Sequence, residues 1–377
     1  MAKSSLSNVT SKTSFYITSD ESQLLSNEAK DTATNILITI RLLTTVISMP
    51  LALCTLTVFS HKSMRSATGT YVIGLTLAQI VFMLGRATTV VNTFVVGNGS
   101  QSLAWKYLWQ YVLNYSGLVA RRASQVVTCV VSVERLYAVL RPLHVKTFFL
   151  SQYSMLLTPG VYLTSALWHI YLILGTDVVT LTTNSTTIHV YVPSSFYQNH
   201  KDLCVGLSMS AKVVQVFVAL TLQIALNVLT VWALRRHNMA TRDVQSTRRS
   251  EVKLRAERQM TLTILVTTIC SVILTIPLTV ANVWDDFEPM SDSVNSRIYN
   301  VRLVFQEIGI NFSVLSCGGV DFCCYVRLSS KYREVLHQVI SFDKSSSFHN
   351  KPDGQNYSEN LYQTPATLKA LSTEKQL

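Results

Sequence analysis

Seven long apolar runs constrain this chain more than any other feature of its sequence. An apolar run of about 20 residues can cross the hydrocarbon core of a bilayer as an α-helix. Hydrophobic residues make up 48% of the 377 residues and charged residues only 14%, whereas soluble proteins carry about 25% charged residues. We therefore predict an all-α membrane protein, a bundle of seven transmembrane helices. The runs are 36–60, 69–95, 105–139, 153–174, 207–234, 260–284 and 298–326.

Basic residues concentrate in alternate links between these runs, and this alternation predicts the orientation of the chain. Lys and Arg are frequent in 61–67, 135–149 and 235–258 and just after the seventh run, whereas link 285–296 is acidic. Cytoplasmic loops are enriched in Lys and Arg, so the basic links are expected inside. We predict a multi-pass plasma-membrane protein with an extracellular N-terminus and a cytoplasmic C-terminus. The net charge of +11 then reflects the orientation of the chain in the membrane. We expect the protein to contact a lipid bilayer and to bind no nucleic acid.

The chain divides into three predicted parts. Residues 1–35 form an extracellular N-terminal tail, and 36–340 form the seven-helix domain. That domain ends in a short amphipathic eighth helix, 328–340, whose apolar and charged residues alternate as on a membrane-surface helix. Residues 341–377 are polar and rich in Ser and Thr, which predicts a disordered cytoplasmic tail.

Two further patterns fall on segments predicted to be extracellular. Asn8, Asn98 and Asn184 each begin an Asn-x-Ser/Thr glycosylation sequence. Between the fourth and fifth runs, the β-branched segments 178–182 and 187–192 flank a short polar turn, which predicts a small hairpin lid.

The seven cysteines show no spacing typical of a metal site or a disulfide framework. Six lie inside apolar runs, and only Cys204 falls on a predicted outer segment. There is also no catalytic constellation and no phosphate-binding loop. We therefore predict that the protein is not an enzyme and uses no cofactor or metal.

Glu134 and Arg135 stand side by side at the inner end of the third run. Charged side chains are costly in hydrocarbon, so they are expected at the membrane edge, paired with each other or with a neighbouring helix. One interpretation is a releasable ion pair that acts as a switch. The other is a helix end whose charges only anchor it at the lipid headgroups.

Several motifs resemble those of the rhodopsin-like G-protein-coupled receptors. Glu134-Arg135-Leu136 resembles the Asp/Glu-Arg-Tyr motif, and Arg141-Pro142-Leu143 follows it at the spacing of the family. Asp321-Phe322-Cys323-Cys324-Tyr325 resembles the Asn/Asp-Pro-x-x-Tyr motif, with Phe322 in place of the proline. The chain resembles a divergent member of this family, similar in style to invertebrate FMRFamide-type peptide receptors or to lineage-expanded chemosensory receptors.

The resemblance implies a receptor that transmits an extracellular signal to a heterotrimeric G protein. It implies that Arg135 pairs with Glu134 and, in the resting state, with Glu257, and that release lets the sixth helix swing outward. Asp321 and Tyr325 belong to the same implied switch. The Ser/Thr-rich tail would be the substrate of a receptor kinase and the binding site of an arrestin.

Three departures from the family pattern change what the resemblance implies. Gln79 stands where the family has an Asp that binds sodium, and Thr275 stands in place of the Trp beside the ligand pocket. In the family, a cysteine of the third helix forms a disulfide bond with the outer loop. The corresponding position here lies near Gln110, which leaves Cys204 without an obvious partner.

Charged residues inside the apolar runs are the candidates for ligand contact, because such residues usually face the bundle interior. Arg86, Arg121 and Glu307, with Asn311 one turn below Glu307, predict a polar pocket with net positive charge. Such a pocket suits a peptide or a small chemical with an anionic group. The alternative is an internal salt bridge from an arginine to Glu307.

Two rival classes have seven helices. A transporter or channel without G-protein coupling would show inverted repeats and paired broken helices. We find no internal symmetry, although Gly318-Gly319 can interrupt the seventh run. Chemoreceptors of the insect type have the reverse orientation, which the basic inner links oppose.

Overall fold

The computed structural model describes residues 25–64, 66–94, 103–141, 144, 147–183, 186–241, 248–287 and 293–341. The glycosylation sequences at Asn8, Asn98 and Asn184 lie outside these residues, as does the tail beyond Ser341. The backbone of Glu257 is helical, but its side chain also lies outside the description.

Within the described residues, seven helices are long and apolar enough to cross a membrane, which confirms the predicted bundle. The main helical segments are α1 (Asn27–Ser60), α2 (Ala67–Phe94), α3 (Tyr115–Leu140), α4 (Ser154–Trp168), α5 (Ala219–Thr241), α6 (Arg248–Phe287), α7 (Ser293–Leu315) and α8 (Ser330–Ile340). The third crossing begins with Leu103–Tyr107 and the π-helical turn Leu108–Asn114, and the fifth with Lys201–Lys212 and the π-helical turn Val213–Val218. The seventh continues through the π-helical turn Ser316–Val320 into a segment, Asp321–Leu328, that we call the end segment.

Helix α1 begins earlier than the apolar run predicts, within the segment assigned to the N-terminal tail. Ser26 caps the helix, because its Oγ accepts a hydrogen bond from the backbone N–H of Ala29 at 3.2 Å. Glu28 lies in the first turn, where a negative charge is favourable against the helix dipole. An apolar run indicates which part of a helix is expected to cross the lipid, whereas the N-cap residue Ser26 marks where α1 starts.

The link between the fourth and fifth crossings forms the predicted hairpin. Strands β1 (Thr176–Thr183) and β2 (Thr186–Pro193) are antiparallel. The hairpin is fastened to the start of the third crossing, because Tyr111 Oη donates to the carbonyl of Thr176 and Lys106 Nζ donates to the carbonyl of His189. Tyr191 Oη donates to the carbonyl of Lys106 at 3.1 Å, so hydrogen bonds join the hairpin to this helix.

Cys204 lies within a helix and not in the link before it. Its position on the outer side of the membrane stays a prediction. The fifth crossing begins at Lys201, with Asp202 in its first turn, and Cys204 is therefore helical and buried. All seven cysteines are free. The polar residues Lys201 and Asp202 hid the start of this helix from an apolar-run analysis.

Two clusters of buried apolar side chains join the helices. Two tyrosine hydroxyls also form hydrogen bonds between helices. Tyr162 Oη of α4 donates to the carbonyl of Gly74 in α2 at 3.0 Å, and Tyr71 Oη of α2 donates to the carbonyl of Leu150 at 2.6 Å. One cluster consists of Ala52, Phe82, Met83, Leu278, Ile310 and Val314, and the other of Tyr71, Val127, Val131 and Ile264.

The seventh crossing is broken at the glycine pair that the sequence singles out. Cys317 has a ψ of 107° and Gly318 has a φ of +83°, so the backbone leaves helical geometry there. Only glycine adopts a positive φ without steric cost. The break turns the end segment relative to α7 and places the Gly318 backbone against Ser48 and Ala52 of α1.

Helix α8 buries one side through Tyr332 and Val335 and exposes Lys331, Arg333 and Glu334. Phe59 and Tyr325 pack on Tyr332, with ring centroids 5.8 and 5.4 Å away. Burial raises the pKa of Tyr332 to about 12. A position of α8 on the membrane surface stays a prediction. The chain divides into two units, 1–336 and 337–377, and of the second the structure describes only 337–341.

Candidate functional site

Glu134 is a buried carboxylate near the end of α3 whose oxygens are held from three directions. Its Oε2 lies 3.4 Å from Nη2 of Arg135. Thr68 Oγ1, on α2, lies 3.2 and 3.0 Å from the two oxygens, and Ser151 Oγ donates to Oε1 at 3.2 Å. The side chain of Glu134 is 1% exposed. A charged group at this depth is stable only because these partners replace water.

The partners of Glu134 come from different parts of the chain. Thr68 lies in the first turn of α2, and Ser151 lies in the short helix Phe149–Gln152 that precedes α4. The carboxylate therefore joins α2, α3 and the link to α4 while it pairs with Arg135. The sequence predicted the Glu134–Arg135 pair but not Thr68 or Ser151, because a single hydroxyl residue near the end of a helix gives no distinctive signal.

The other two described residues of the predicted switch, Asp321 and Tyr325, lie on the end segment and have partners other than Glu134. Asp321 Oδ2 accepts a hydrogen bond of 2.7 Å from Gln79 Nε2, and both side chains are buried. Tyr325 is buried against Phe59 and Tyr332 instead. Gln79, which the family pattern marked as a departure, is thus the residue that joins α2 to the end segment.

The four candidate ligand residues separate into two groups. Glu307 forms an ion pair with Arg41 of α1, whose side chain is 1% exposed against 23% for Glu307. Asn311 Nδ2 donates to the carbonyls of Leu37 at 3.1 Å and of Glu307 at 2.9 Å. Glu307 and Asn311 therefore connect α7 to α1. The sequence marks Arg41 as a candidate for such an ion pair, because it is the only charged residue in the apolar run 36–60.

Arg86 and Arg121 form the second group, and both contact one aromatic ring. Their Cζ atoms lie 5.5 and 5.3 Å from the centroid of the Phe82 ring, which is the geometry of a cation–π contact. Among the described residues, neither arginine is in an ion pair with a carboxylate. Arg122, next in the chain, is buried elsewhere, as expected for neighbours that point about 100° apart on a helix.

A cavity between the helices is lined by many uncharged polar side chains and by one member of this arginine pair. Arg121 and Phe82 contribute to its wall, and so do Gln79 and Asp321. Arg121 and the two residues of the hydrogen bond between α2 and the end segment thus line the same cavity. In the described part of the chain, no group of three or more His, Cys, Asp or Glu side chains is arranged to hold a metal ion.

Comparison with known proteins agrees with this architecture. The sequence model of the family described as "7 transmembrane receptor (rhodopsin family)" matches residues 50–314, which is more than half of the chain. The chain therefore belongs to the rhodopsin family of seven-transmembrane receptors. A search of curated proteins finds no match.

The family assignment confirms the predicted fold class and makes the chain a multi-pass membrane protein of a receptor family. The match ends before the end segment, so the Asp321 to Tyr325 motif lies beyond it. The likeness to FMRFamide-type or chemosensory receptors stays a prediction.

Proposed function

We propose that this protein is a G-protein-coupled receptor of the plasma membrane, with its N-terminus outside, that activates a heterotrimeric G protein. The observation that carries the proposal is the buried Glu134 carboxylate paired with Arg135. The rival class, a transporter or channel, gains no support from the family match. A receptor kinase and an arrestin acting on residues 341–377 are further proposed partners.

The mechanism follows from how Glu134 is held. With Thr68 and Ser151 donating to it, Glu134 keeps Arg135 in one position at the end of α3. A ligand that binds one conformation more tightly shifts the population toward it. Release of Arg135 from Glu134 would free its guanidinium for the G protein, and Glu257 on α6 is the proposed second restraint in the resting state.

Glu134→Gln tests this mechanism because glutamine has nearly the same shape and removes only the charge that holds Arg135. We expect a higher basal second-messenger level in cells expressing this variant, and loss of signalling in Arg135→Ala. Glu257→Ala should also raise the basal level. Surface expression is matched between all variants.

The control is Glu334→Gln, which removes a carboxylate from the exposed side of α8. It should signal like the wild type. Basal signals that are equal in wild type, Glu134→Gln and Glu257→Ala would contradict the proposed coupling, and conductance and uptake assays would then test the rival class.

We also propose that the ligand, a peptide or a small chemical, carries an anionic group that binds Arg86 and Arg121. Glu307 is neutralised by Arg41, so it does not compensate the charge of the other two arginines. Both arginines contact the Phe82 ring, so an apolar group lies beside the two positive charges. A ligand with a carboxylate next to an apolar group fits this arrangement.

The test compares carboxylic acids and acidic peptides with their neutral amides in a signalling screen. An active acid should be at least tenfold more potent than its amide, and this preference should disappear in Arg86→Gln or Arg121→Gln. Lys201→Gln is the control, since Lys201 is an exposed basic residue at the start of the fifth crossing. Equal potency of acid and amide, or an unchanged preference in both arginine variants, would refute the anionic contact.

A further inference from the structure

The central cavity has residues of opposite charge on its wall. Arg121 of α3 and Asp321 of the end segment both line it, together with uncharged polar residues such as Gln125 and Ser313. The space open to the centre of a water molecule is about 70 Å³. One water needs about 10–15 Å³ of such space, so the cavity has room for several.

Three buried polar atoms on this wall have no hydrogen-bond partner among the described residues. They are Asp321 Oδ1, Gln125 Oε1 and Ser313 Oγ. Leaving a buried polar group unsatisfied is destabilising, and most of all when the group is charged. The other oxygen of Asp321 already accepts from Gln79. Three residues that line the cavity thus each carry a buried polar atom that needs a hydrogen-bond partner.

We propose that water molecules in this cavity bridge the guanidinium of Arg121 and the carboxylate of Asp321 into a hydrated ion pair. The waters donate to Asp321 Oδ1 and to Gln125 Oε1 and accept from Arg121 or Ser313. The pair connects α3 to the end segment, beside the direct hydrogen bond that connects α2 to it. Because Arg121 supplies the positive charge, Asp321 needs no bound metal cation.

The inference concerns the protein without ligand and does not depend on the proposed anionic ligand. If that ligand exists, its anionic group and Asp321 compete for Arg121, and ligand binding would weaken the connection between α3 and the end segment. The stability of the ligand-free protein tests the ion pair separately from signalling.

The experiment is a double-mutant cycle on the thermal stability of the full chain, purified in detergent without ligand. Arg121→Met leaves Asp321 without a counter-charge, and Asp321→Asn does the same to Arg121, so each should lower the melting temperature. The double variant Arg121→Met/Asp321→Asn should melt no lower than the less stable single variant. Arg121→Lys, which keeps the charge, should melt closer to the wild type than Arg121→Met.

The matched control pairs Asp321→Asn with Arg86→Met. Arg86 also contacts Phe82 but does not line the cavity, so these two losses should add. Additive losses for Arg121 and Asp321 would overturn the proposal, as would equal melting of Arg121→Lys and Arg121→Met. If Arg121→Met does not accumulate in cells, recovery of expression by the added Asp321→Asn supports the ion pair, and no recovery contradicts it.

A salt comparison separates this pair from a cation site. The melting temperature of the wild type should be the same in sodium chloride and in N-methylglucamine chloride at equal ionic strength. A higher melting temperature in sodium that Asp321→Asn abolishes would mean that a metal ion neutralises Asp321, and the proposal would then be wrong.

Discussion

The guanidinium of Arg41 in α1 pairs with the carboxylate of Glu307 in α7, and Arg41 is among the most deeply buried side chains of the protein. One turn away, Asn311 of α7 donates to the backbone carbonyl of Leu37 in α1. The first and last crossings are thus joined by an ion pair and a hydrogen bond inside the bundle. Glu307 therefore has a structural partner, which the sequence offered as the alternative to ligand contact.

Breaking this pair from one side should destabilise the protein strongly. Arg41→Met or Glu307→Gln leaves the other group without its partner, and removal of one member of a buried pair costs about 3–5 kcal/mol. We expect the lower end of that range because Glu307 is partly exposed. Thermal or chemical denaturation in detergent measures the loss, and the double variant should lose less than the two single losses combined.

The pair of Lys30 and Asp31, 3.0 Å apart, is the control for this measurement, because Asp31 is 67% exposed. Exposed ion pairs contribute about 0–1 kcal/mol, so Lys30→Met should change stability little. If Lys30→Met and Arg41→Met are equally stable, the buried pair does not hold α1 against α7.

Gly318→Ala should destabilise the break in the seventh crossing. The φ of Gly318 is +83°, and a Cβ there would lie 2.5 Å from the carbonyl oxygen of Ser48 and 2.9 Å from Cβ of Ala52. A left-handed residue with a Cβ costs about 1–2 kcal/mol before any clash. The measurement is the melting temperature of the purified protein. Gly160→Ala is the comparison, because a Cβ at Gly160 would meet no atom within 4 Å, and it should be neutral or stabilising.

Tyr332 should hold α8 mainly through its ring and only weakly through its hydroxyl. Tyr332 Oη lies 3.2 Å from Thr55 Oγ1, and one such hydrogen bond contributes about 1 kcal/mol. Tyr332→Phe should therefore cost about 1 kcal/mol, whereas Tyr332→Ala should cost about 3–5 kcal/mol through the cavity it leaves. Hydrogen exchange of the 330–340 amides gives the local effect. Equal protection in the two variants would show that the ring does not hold the helix.

The predicted orientation can be read from glycosylation. Treatment of the expressed protein with a peptide N-glycosidase should lower its apparent mass, and the combined variant Asn8→Gln/Asn98→Gln/Asn184→Gln should abolish that change. Asn356 also begins an Asn-x-Ser sequence but lies in the tail predicted to be cytoplasmic, so Asn356→Gln should have no effect. A mass change that depends on Asn356 would mean that the orientation is reversed.

Much of the fold could be predicted because its signals are local in the sequence. The seven crossings follow from apolar length, since lipid excludes unpaired backbone groups and charged side chains. The hairpin follows from β-branched segments around a polar turn. The starts of the first and fifth crossings were missed because their first turns are polar, with the Ser26 cap before the first and Lys201 and Asp202 in the fifth.

The sequence by itself determined which residues are charged inside the membrane and that such residues need partners. Only the tertiary structure decided the partners: Glu307 pairs with Arg41, Glu134 is held by Thr68 as well as Arg135, and Gln79 bonds Asp321. The physical reason is that apolar patterning is read along one helix, whereas pairing depends on the rotation and depth of two helices relative to each other. Those are set by packing across the whole bundle, at residues far apart in the chain.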